Sequence, residues 1–216
     1  MKRILINLKD WFDLYENIDF AEQAEGLDIT VFPSLPYLYI YKDYKIRIGS
    51  QKISSFEEGA HTGSISAKHL RDFGVEAVIL NHKECQIDDS QKICSKIENA
   101  RKYNIEVILC IGSIGHEELT KIADVLSVCG KESISIAYEP LEELDQWHVK
   151  ENLDYIKDEL RDYDVPYIYG GYLTSENILD YDKELDVDGY LFSSNVLNVD
   201  NLKKIISILT KDEETY

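Results

Sequence analysis

Segments typical of β-strands and segments typical of amphipathic helices alternate eight times along this 216-residue chain, with a period of roughly 25 to 30 residues. No Pro- or Gly-rich linker and no change in composition interrupts the series. Strands that alternate with helices favour a parallel sheet, and eight such units predict an α/β fold with a single (β/α)8 barrel. An open, doubly wound sheet remains the alternative, because periodicity alone does not prove that the sheet closes. The predicted strands are 3–7, 27–32, 45–49, 77–80, 106–111, 133–139, 166–169 and 187–192.

The predicted barrel is one domain over residues 1–210, followed by a polar tail over residues 211–216. Its first helix is expected to start near Asp10 and to turn one apolar face inward, made of Trp11, Leu14, Ile18 and Ala21. Ser90 is the expected N-cap of the fourth helix, and Thr174 is expected to open the seventh.

The chain is strongly acidic. Its 41 Asp and Glu residues against 23 Lys and Arg residues give a formal charge of -18, and no local basic patch offsets it. Such a charge repels nucleic acid and anionic membranes, so we expect neither as a partner. The amino-terminal residues lack the apolar run of a signal peptide, and no stretch approaches the ~18 apolar residues of a membrane span. The sequence therefore predicts a cytoplasmic protein.

The four cysteines are spaced too irregularly for a zinc site or a disulfide framework. They form no Cys-x-x-Cys pair, and the five histidines form no spaced ligand set. We expect reduced, mostly buried thiols and no bound metal. The cysteines are Cys85, Cys94, Cys110 and Cys129.

The run from Ser133 to Pro140 carries a carboxylate to the end of a predicted strand. Alternating β-branched residues lead to Glu139, and the following proline cannot donate a ladder hydrogen bond, so the strand ends there. Sites in parallel α/β folds form where the strands end at their carboxyl side. The other candidates at that rim are Asn7, Lys9, Gln51, His82, Glu84, Gly170, Gly171, Ser193 and Ser194.

Three of these side chains together define a chemistry. A carboxylate such as Glu139 can remove a proton next to a carbonyl, a neutral imidazole such as His82 can polarise that carbonyl, and the Lys9 ammonium can stabilise the enediolate. The sequence thus predicts an aldose–ketose isomerisation that needs no metal or cofactor. Gly170-Gly171 is either a tight turn or a nest of amides for an anion.

Short motifs occur at several of these strand ends, in an order that resembles the triosephosphate isomerase family over nearly the whole chain, and most closely its short archaeal type. The motifs are Asn7-Leu-Lys9, Gly59-Ala-His-Thr-Gly63, Asn81-His-Lys-Glu84, Cys110, Tyr138-Glu-Pro140, Tyr169-Gly-Gly171 and Asp188-Gly-Tyr-Leu-Phe-Ser-Ser194.

The resemblance implies a role for each matched residue at the reacting carbons. In the family a glutamate is the base and a neutral histidine the electrophile, which assigns these roles to Glu139 and His82. Lys9 would be the electrostatic stabiliser, and Asn7 would donate a hydrogen bond to substrate oxygens. Glu84 would hold the catalytic side chains in place without contacting the substrate.

The resemblance also implies partners. The substrate would be a small hydroxy-aldehyde or hydroxy-ketone that carries a phosphate in the family, bound near Gly170, Gly171, Ser193 and Ser194. The loop over residues 51–64 would dock against a second subunit, with Thr62 reaching into the partner's site. A homodimer or a higher homo-oligomer is therefore expected.

The chain departs from the family at the phosphate end. Leu144-Asp-Gln-Trp147 stands where the family has the lid tip Ile-Gly-Thr-Gly, so Asp145 replaces an amide-presenting glycine. A carboxylate within ~4 to 6 Å of a dianion repels it. Tyr172 brings a phenol to a position where the family has Ser or Gly, and Lys83 replaces a Ser after the histidine.

These departures leave three hypotheses. The chain is a triose phosphate isomerase, a relative with the same chemistry on a different and possibly unphosphorylated substrate, or a barrel that binds without catalysis. The matched residues Asn7, Lys9, His82 and Glu139 disfavour the third. Asp145 and Tyr172 lead us to expect weak or absent activity on triose phosphates.

Overall fold

The structure, a computed structural model, describes residues 2–211 and shows a closed barrel. Eight parallel strands pair in sequence order, and β8 pairs with β1. The predicted (β/α)8 barrel is confirmed and the open sheet is wrong. The predicted polar tail, except for its first residue at the end of the last helix, lies outside the described residues. The strands are β1 Arg3–Asn7, β2 Thr30–Phe32, β3 Arg47–Ser50, β4 Val75–Leu80, β5 Glu106–Ile111, β6 Ile134–Tyr138, β7 Tyr167–Tyr169 and β8 Gly189–Phe192.

A helix follows each strand and packs its apolar face on the outside of the barrel. In the part of the chain from residue 2 to residue 211, no helix is both long and apolar enough to cross a bilayer. The helices are α1 Leu14–Ala24, α2 Leu38–Tyr41, α3 Ala67–Asp72, α4 Ser90–Lys102, α5 His116–Cys129, α6 Gln146–Glu159, α7 Ile178–Glu184 and α8 Val199–Lys211.

The first helix starts later than the sequence predicts. Asp13, not Asp10, is the N-cap of α1: its side chain accepts from the Glu16 N–H, and the Glu16 carboxylate accepts from the Asp13 N–H. This reciprocal pair satisfies two backbone donors that a helix start leaves free. Trp11 therefore precedes the helix and is 59% exposed, so its predicted inward position is wrong.

Two other predicted helix starts are also displaced. Asp89 caps α4 by accepting from the Lys92 N–H, so the predicted cap Ser90 is the first helical residue. Thr174 does not open α7, which begins at Ile178 after an irregular turn. Adjacent Asp and Ser are comparable caps, so composition alone does not choose between them.

The barrel interior is filled by side chains. A cluster of nine buried residues occupies it: Leu5, Phe32, Ala77, Ile79, Ile108, Cys110, Ala137, Ile168 and Leu191. Gly49 on β3 makes this packing possible, because a Cβ there would lie 2.2 Å from the Phe32 ring. The interior is therefore a packed core, and a substrate cavity has to form above it.

The amino end of the barrel is closed by polar groups. The Arg3 guanidinium donates to the Ser135 hydroxyl at 2.9 Å and to the Glu106 carboxylate at 2.8 Å. These partners stand on β1, β5 and β6, so the bonds tie opposite sides of the sheet together. The carboxyl end remains the open end of the barrel.

The four cysteines are free thiols in the structure. Cys94 and Cys110 are buried, Cys129 is partly buried and Cys85 is exposed. The expectation of mostly buried thiols thus holds for two residues, and it is wrong for Cys85.

Candidate active site

A cavity of about 220 Å³ opens at the carboxyl ends of the strands. It is bounded by loops that follow β1, β4, β6, β7 and β8. The sequence-predicted residues that line it are Asn7, Lys9, Glu139, Gly170, Gly171, Tyr172, Ser193 and Ser194. His82 and Glu84 line an adjoining cavity that shares Asn7 and Lys9.

Glu139 stands directly after β6 and is only 5% exposed. Its backbone N–H donates to the Ile111 carbonyl at 2.9 Å, which fixes the residue against the end of β5 before Pro140 ends the strand. Gly170 gives the side chain its room, because a Cβ at that position would lie 2.7 Å from the Glu139 Cγ. The buried Oε1 atom has no hydrogen-bond partner within residues 2–211. An unpaired buried carboxylate oxygen is costly, which is typical of a functional group.

His82 follows β4 and is 7% exposed. Its Nδ1 accepts from the Glu84 backbone N–H at 3.3 Å. With Nδ1 accepting this bond, Nε2 is the ring nitrogen that can donate. Asn81, which precedes it in the left-handed region at φ 56°, donates to the Cys110 carbonyl at 2.9 Å and so holds the turn that aims the imidazole.

The histidine and the glutamate meet without forming a regular hydrogen bond. His82 Nε2 lies 3.1 Å from Glu139 Oε2, close enough for an ion pair, yet Nε2 has no aligned hydrogen-bond partner in the described chain. A misaligned N–H gains little from a nearby oxygen, so this contact leaves Nε2 without a full hydrogen bond. The His82 imidazole and the Glu139 carboxylate are therefore both placed to contact a bound molecule.

Lys9 is held in a strained backbone conformation after β1. Its φ of 50° is unusual for a residue with a side chain, and the turn is fixed by its N–H donating to the Asn7 Oδ1 at 3.1 Å. Gln51, which directly follows β3, supports this turn by donating to the Lys9 carbonyl at 2.8 Å. Strain of this kind is commonly found at functional sites.

The Lys9 ammonium pairs with Glu84. The Lys9 Nζ lies 2.5 Å from the Glu84 Oε1. Partial burial raises the pKa of the Glu84 carboxyl, but the hydrogen bond and charge of Lys9, with the charge of Lys83, hold it below its usual value. Glu84 thus remains ionised and keeps the ammonium at the cavity.

Cys110 on β5 lies under the base. Its thiol is fully buried, and burial together with the neighbouring Glu139 carboxylate raises its pKa well above the usual range. The thiol is therefore protonated at neutral pH, and it supplies the floor of the site rather than a nucleophile.

The lid segment, residues 141–144 between Pro140 and α6, differs from the sequence prediction. Asp145, predicted to face the substrate, does not line the cavity: it is the N-cap of α6, and its carboxylate accepts from the His148 N–H at 2.9 Å. This bond to the His148 backbone is the main cause of its lowered pKa. Glu142 and Glu143 line the cavity instead.

Sequence reasoning missed these two carboxylates, and the signal was present. The segment that joins the base to the next helix must begin at Pro140 and end at the helix cap. An Asp directly before an amphipathic run is a typical cap. Assigning Asp145 to the cap leaves Glu142 and Glu143 as the charged residues of the lid segment, and both are exposed.

Lys83 and Thr62 have contrasting positions. Lys83 lines the cavity, and its ammonium donates to the Pro140 carbonyl at 2.9 Å, so it contacts the residue after the base. Thr62 is exposed in the loop over residues 51–64 and lines no part of the cavity.

A closed (β/α)8 barrel with a carboxylate, an imidazole and an ammonium at its carboxyl end defines an enzyme of the aldose–ketose isomerase class. A family model described as Triosephosphate isomerase matches residues 4–209. The chain therefore belongs to the triosephosphate isomerase family, and the resemblance read from the motifs is confirmed.

Curated relatives agree with the family model. A triosephosphate isomerase of Mesomycoplasma hyopneumoniae (strain 7448) is 30% identical over 187 residues, which cover 77% of this chain and 77% of the relative. One of Hahella chejuensis is 28% identical over 198 residues, covering 76% of this chain and 78% of the relative. One of Ruegeria pomeroyi is 32% identical over 148 residues, covering 60% and 58%.

Proposed function

We propose that this enzyme moves a proton between adjacent carbons of a short hydroxy-aldehyde or hydroxy-ketone through an enediolate. The Glu139 carboxylate takes the proton from the carbon next to the carbonyl. The electron pair left behind moves onto the carbonyl oxygen, which gains a proton from His82 Nε2. His82 recovers a proton from the neighbouring hydroxyl group, and Glu139 returns its proton to the former carbonyl carbon, so the hydroxyl becomes the new carbonyl. The product is the isomeric ketone or aldehyde, with no net gain or loss of atoms.

His82 and Lys9 act on the oxygens. The Nε2–H of the neutral His82 ring donates to the carbonyl oxygen as it becomes negative. The Lys9 ammonium stabilises the same charge, and Asn7 lines the cavity beside it. Glu84 holds Lys9 in place, so it is a positioning residue.

The observation that carries this proposal is the unsatisfied pair at the centre of the site. His82 Nε2 and Glu139 Oε1 are buried polar atoms without hydrogen-bond partners in residues 2–211. Such groups cost free energy unless a bound molecule completes their hydrogen bonds. A hydroxy-carbonyl supplies an oxygen for His82 and a C–H proton for Glu139.

Exchange of substrate protons with solvent tests the proposal directly. In D₂O we expect deuterium to enter the carbon next to the carbonyl in the presence of enzyme, followed by isomerisation, with glyceraldehyde, dihydroxyacetone and their phosphates as the trial substrates. Proton NMR measures both events in one sample. Absence of exchange above the uncatalysed rate on every trial substrate would contradict the proposed function.

We also propose that the barrel domain, residues 1–210, acts as a homodimer whose contact is the loop over residues 51–64. The loop is long for a barrel connection and lies exposed. Its Phe56 ring, 51% exposed, stacks on His61 at 3.8 Å, which presents an ordered aromatic surface next to Thr62. The cavity that contains His82 and Lys9 opens nearby and shares Lys52 and Ile53 with the base of this loop.

We expect sedimentation velocity at micromolar concentration to show a dimer, and the Phe56→Asp variant to show a monomer with kcat lowered by ~10-fold or more. The reason is that the substitution replaces the aromatic ring in the contact by a carboxylate, and burying an unpaired charge in the interface costs free energy. Tyr39→Asp, which changes an equally exposed aromatic on α2, is the matched control and should remain dimeric. A monomeric wild-type protein would contradict this prediction.

A further inference from the structure

We propose that helix α5, on the outside of the barrel, holds His82 in place, and that Lys121 and Glu118 of this helix are positioning residues for the isomerisation. Lys121 acts through the side chain of Asn81, and Glu118 acts through the side chain of Gln86. This inference rests on the proposed function, because it names residues that serve the same reaction. It adds to the site two side chains that lie outside the described lining of both cavities.

The histidine loop, residues 81–86, carries the imidazole from the end of β4 towards α4. It contains one short 3₁₀ turn, so its position at the rim depends on contacts with neighbouring elements. Its contacts with Lys9 and with the Pro140 carbonyl join it to other loops. Two further contacts come from α5, a helix of 14 residues whose apolar face is buried on the barrel. Helix α5 is therefore the firmest support that the histidine loop has.

The first contact fixes the residue before the histidine. The Lys121 ammonium donates to the Asn81 Oδ1 at 3.0 Å, and the Asn81 Nδ2 donates to the Cys110 carbonyl at 2.9 Å. A flipped amide would place its N–H groups against the ammonium and its oxygen against the carbonyl, so the orientation of Asn81 is fixed. These bonds hold Asn81 at φ 56°, a conformation that residues with a side chain seldom adopt. Lys121 therefore fixes the backbone from which the His82 side chain projects.

The partner of Lys121 is unusual for a lysine. Lys121 is half-buried, and among residues 2–211 its ammonium pairs with no carboxylate, although the chain has 41 Asp and Glu residues. Partial burial of a charge costs free energy, and a neutral amide offsets less of that cost than a carboxylate does. A gain in stability does not explain this choice of partner, whereas control of Asn81 does.

The second contact fixes the other end of the histidine loop. The Glu118 carboxylate accepts from the Gln86 side-chain N–H at 2.8 Å. It also accepts from the backbone N–H groups of Gly112 at 3.0 Å and Ser113 at 2.9 Å, in the turn after β5. Hydrogen bonds to an ionised carboxylate are stronger than bonds between neutral groups. Glu118 therefore joins the end of the histidine loop to a turn that is itself attached to the barrel.

The two contacts lie on either side of the imidazole. Glu118 and Lys121 are three residues apart on α5, so they lie on one face of the helix. Asn81 directly precedes His82, and Gln86 follows it by four residues, so one helix fixes both ends of the loop. A displacement of ~1 Å in a catalytic group can lower a rate ~10²-fold. Loss of either contact should therefore slow the reaction without removing a group that touches the substrate.

Replacing Lys121 by Met tests the first contact. We expect kcat on the trial substrate that the wild-type enzyme isomerises fastest to fall ~10-fold or more, with KM within about twofold, because a displaced imidazole loses most in the transition state. Lys183→Met, which removes an exposed lysine on α7, is the control and should leave kcat unchanged. Unchanged turnover of Lys121→Met would overturn the inference.

A double-mutant cycle shows whether Lys121 acts through Asn81. In Asn81→Gly, the new residue adopts φ 56° without strain but lacks the amide that Lys121 contacts. When Lys121→Met is added to Asn81→Gly, kcat should fall by less than about twofold further. If the two single effects multiplied in full, Lys121 would act by another route and the inference would be wrong.

The imidazole supplies a readout that does not depend on turnover. In protein labelled with ¹⁵N-histidine, with His82→Gln to assign the signal, the His82 ring resonances should shift in Lys121→Met and in Glu118→Gln at an unchanged melting temperature. Unchanged resonances in either variant would overturn the role of the residue replaced, even if kcat fell. If the wild-type protein exchanged no proton on any trial substrate, the proposed function would be wrong, while the resonances would still decide whether α5 positions His82.

Discussion

Replacing Glu139 by Gln is expected to lower kcat on the true substrate by at least ~10²-fold, the usual scale for the loss of a general base. Gln has nearly the same shape and fits the space beside Gly170, but it does not accept a proton at neutral pH. KM should change little, because the amide still fills the site. Steady-state kinetics and deuterium wash-in measure the two effects, and the melting temperature checks the fold.

The control for this variant is Glu151→Gln, which makes the same chemical change on the exposed face of α6. It should retain wild-type turnover. If purified Glu139→Gln turned over the substrate at the wild-type rate, Glu139 would not be the base. Loss of the fold would appear as a lowered melting temperature, and a loss of exchange at an unchanged melting temperature is the result that we expect.

Replacing Lys9 by Met should also lower kcat/KM by ~10² to 10³-fold, since it removes a charge that faces the developing enediolate. Met is unbranched, so it adds little strain at φ 50° beyond what Lys9 already bears. The competitive affinity of an enediolate mimic should fall in parallel with kcat/KM, because both report on stabilisation of the same negative charge.

Lys9 also pairs with Glu84, so a purely structural effect has to be separated. The double variant Lys9→Met with Glu84→Gln removes the carboxylate that the single variant leaves unpaired. If Lys9 acts on the substrate, the double variant stays as slow as the single one. Recovery of activity in the double variant would mean that Lys9 serves only to neutralise Glu84, and Lys183→Met, at an exposed unpaired lysine, controls for the loss of charge.

The barrel was predictable because its signals are redundant. Eight apolar runs alternate with eight amphipathic segments, and an error of a few residues in any one of them leaves the topology unchanged. The location of the candidate site was predictable from the topology, because the residues that follow parallel strands all lie at the same end of the barrel. Asn7, Lys9, His82 and Glu139 were placed together for that reason, although their roles remain predictions.

The predictions that were wrong concern helix starts, where neighbouring residues compete to be the N-cap. Whether α1 starts at Asp10 or Asp13 is decided by a bond between Asp13 and Glu16 that periodicity does not register. The same competition assigned Asp145 to a helix cap. A sequence shows which residues are able to cap, but the choice among neighbours depends on how far each strand end lies from the helix that follows.

The thiol beneath the base offers a use beyond packing. Cys110 is fully buried beside Glu139, and the electrostatics of that carboxylate act on it directly. The S–H bond absorbs infrared light in a region where other protein groups are nearly silent, and its frequency responds to the local field. The chain therefore carries an intrinsic vibrational probe, with no label, whose band should move when Glu139 gains or loses its proton during turnover.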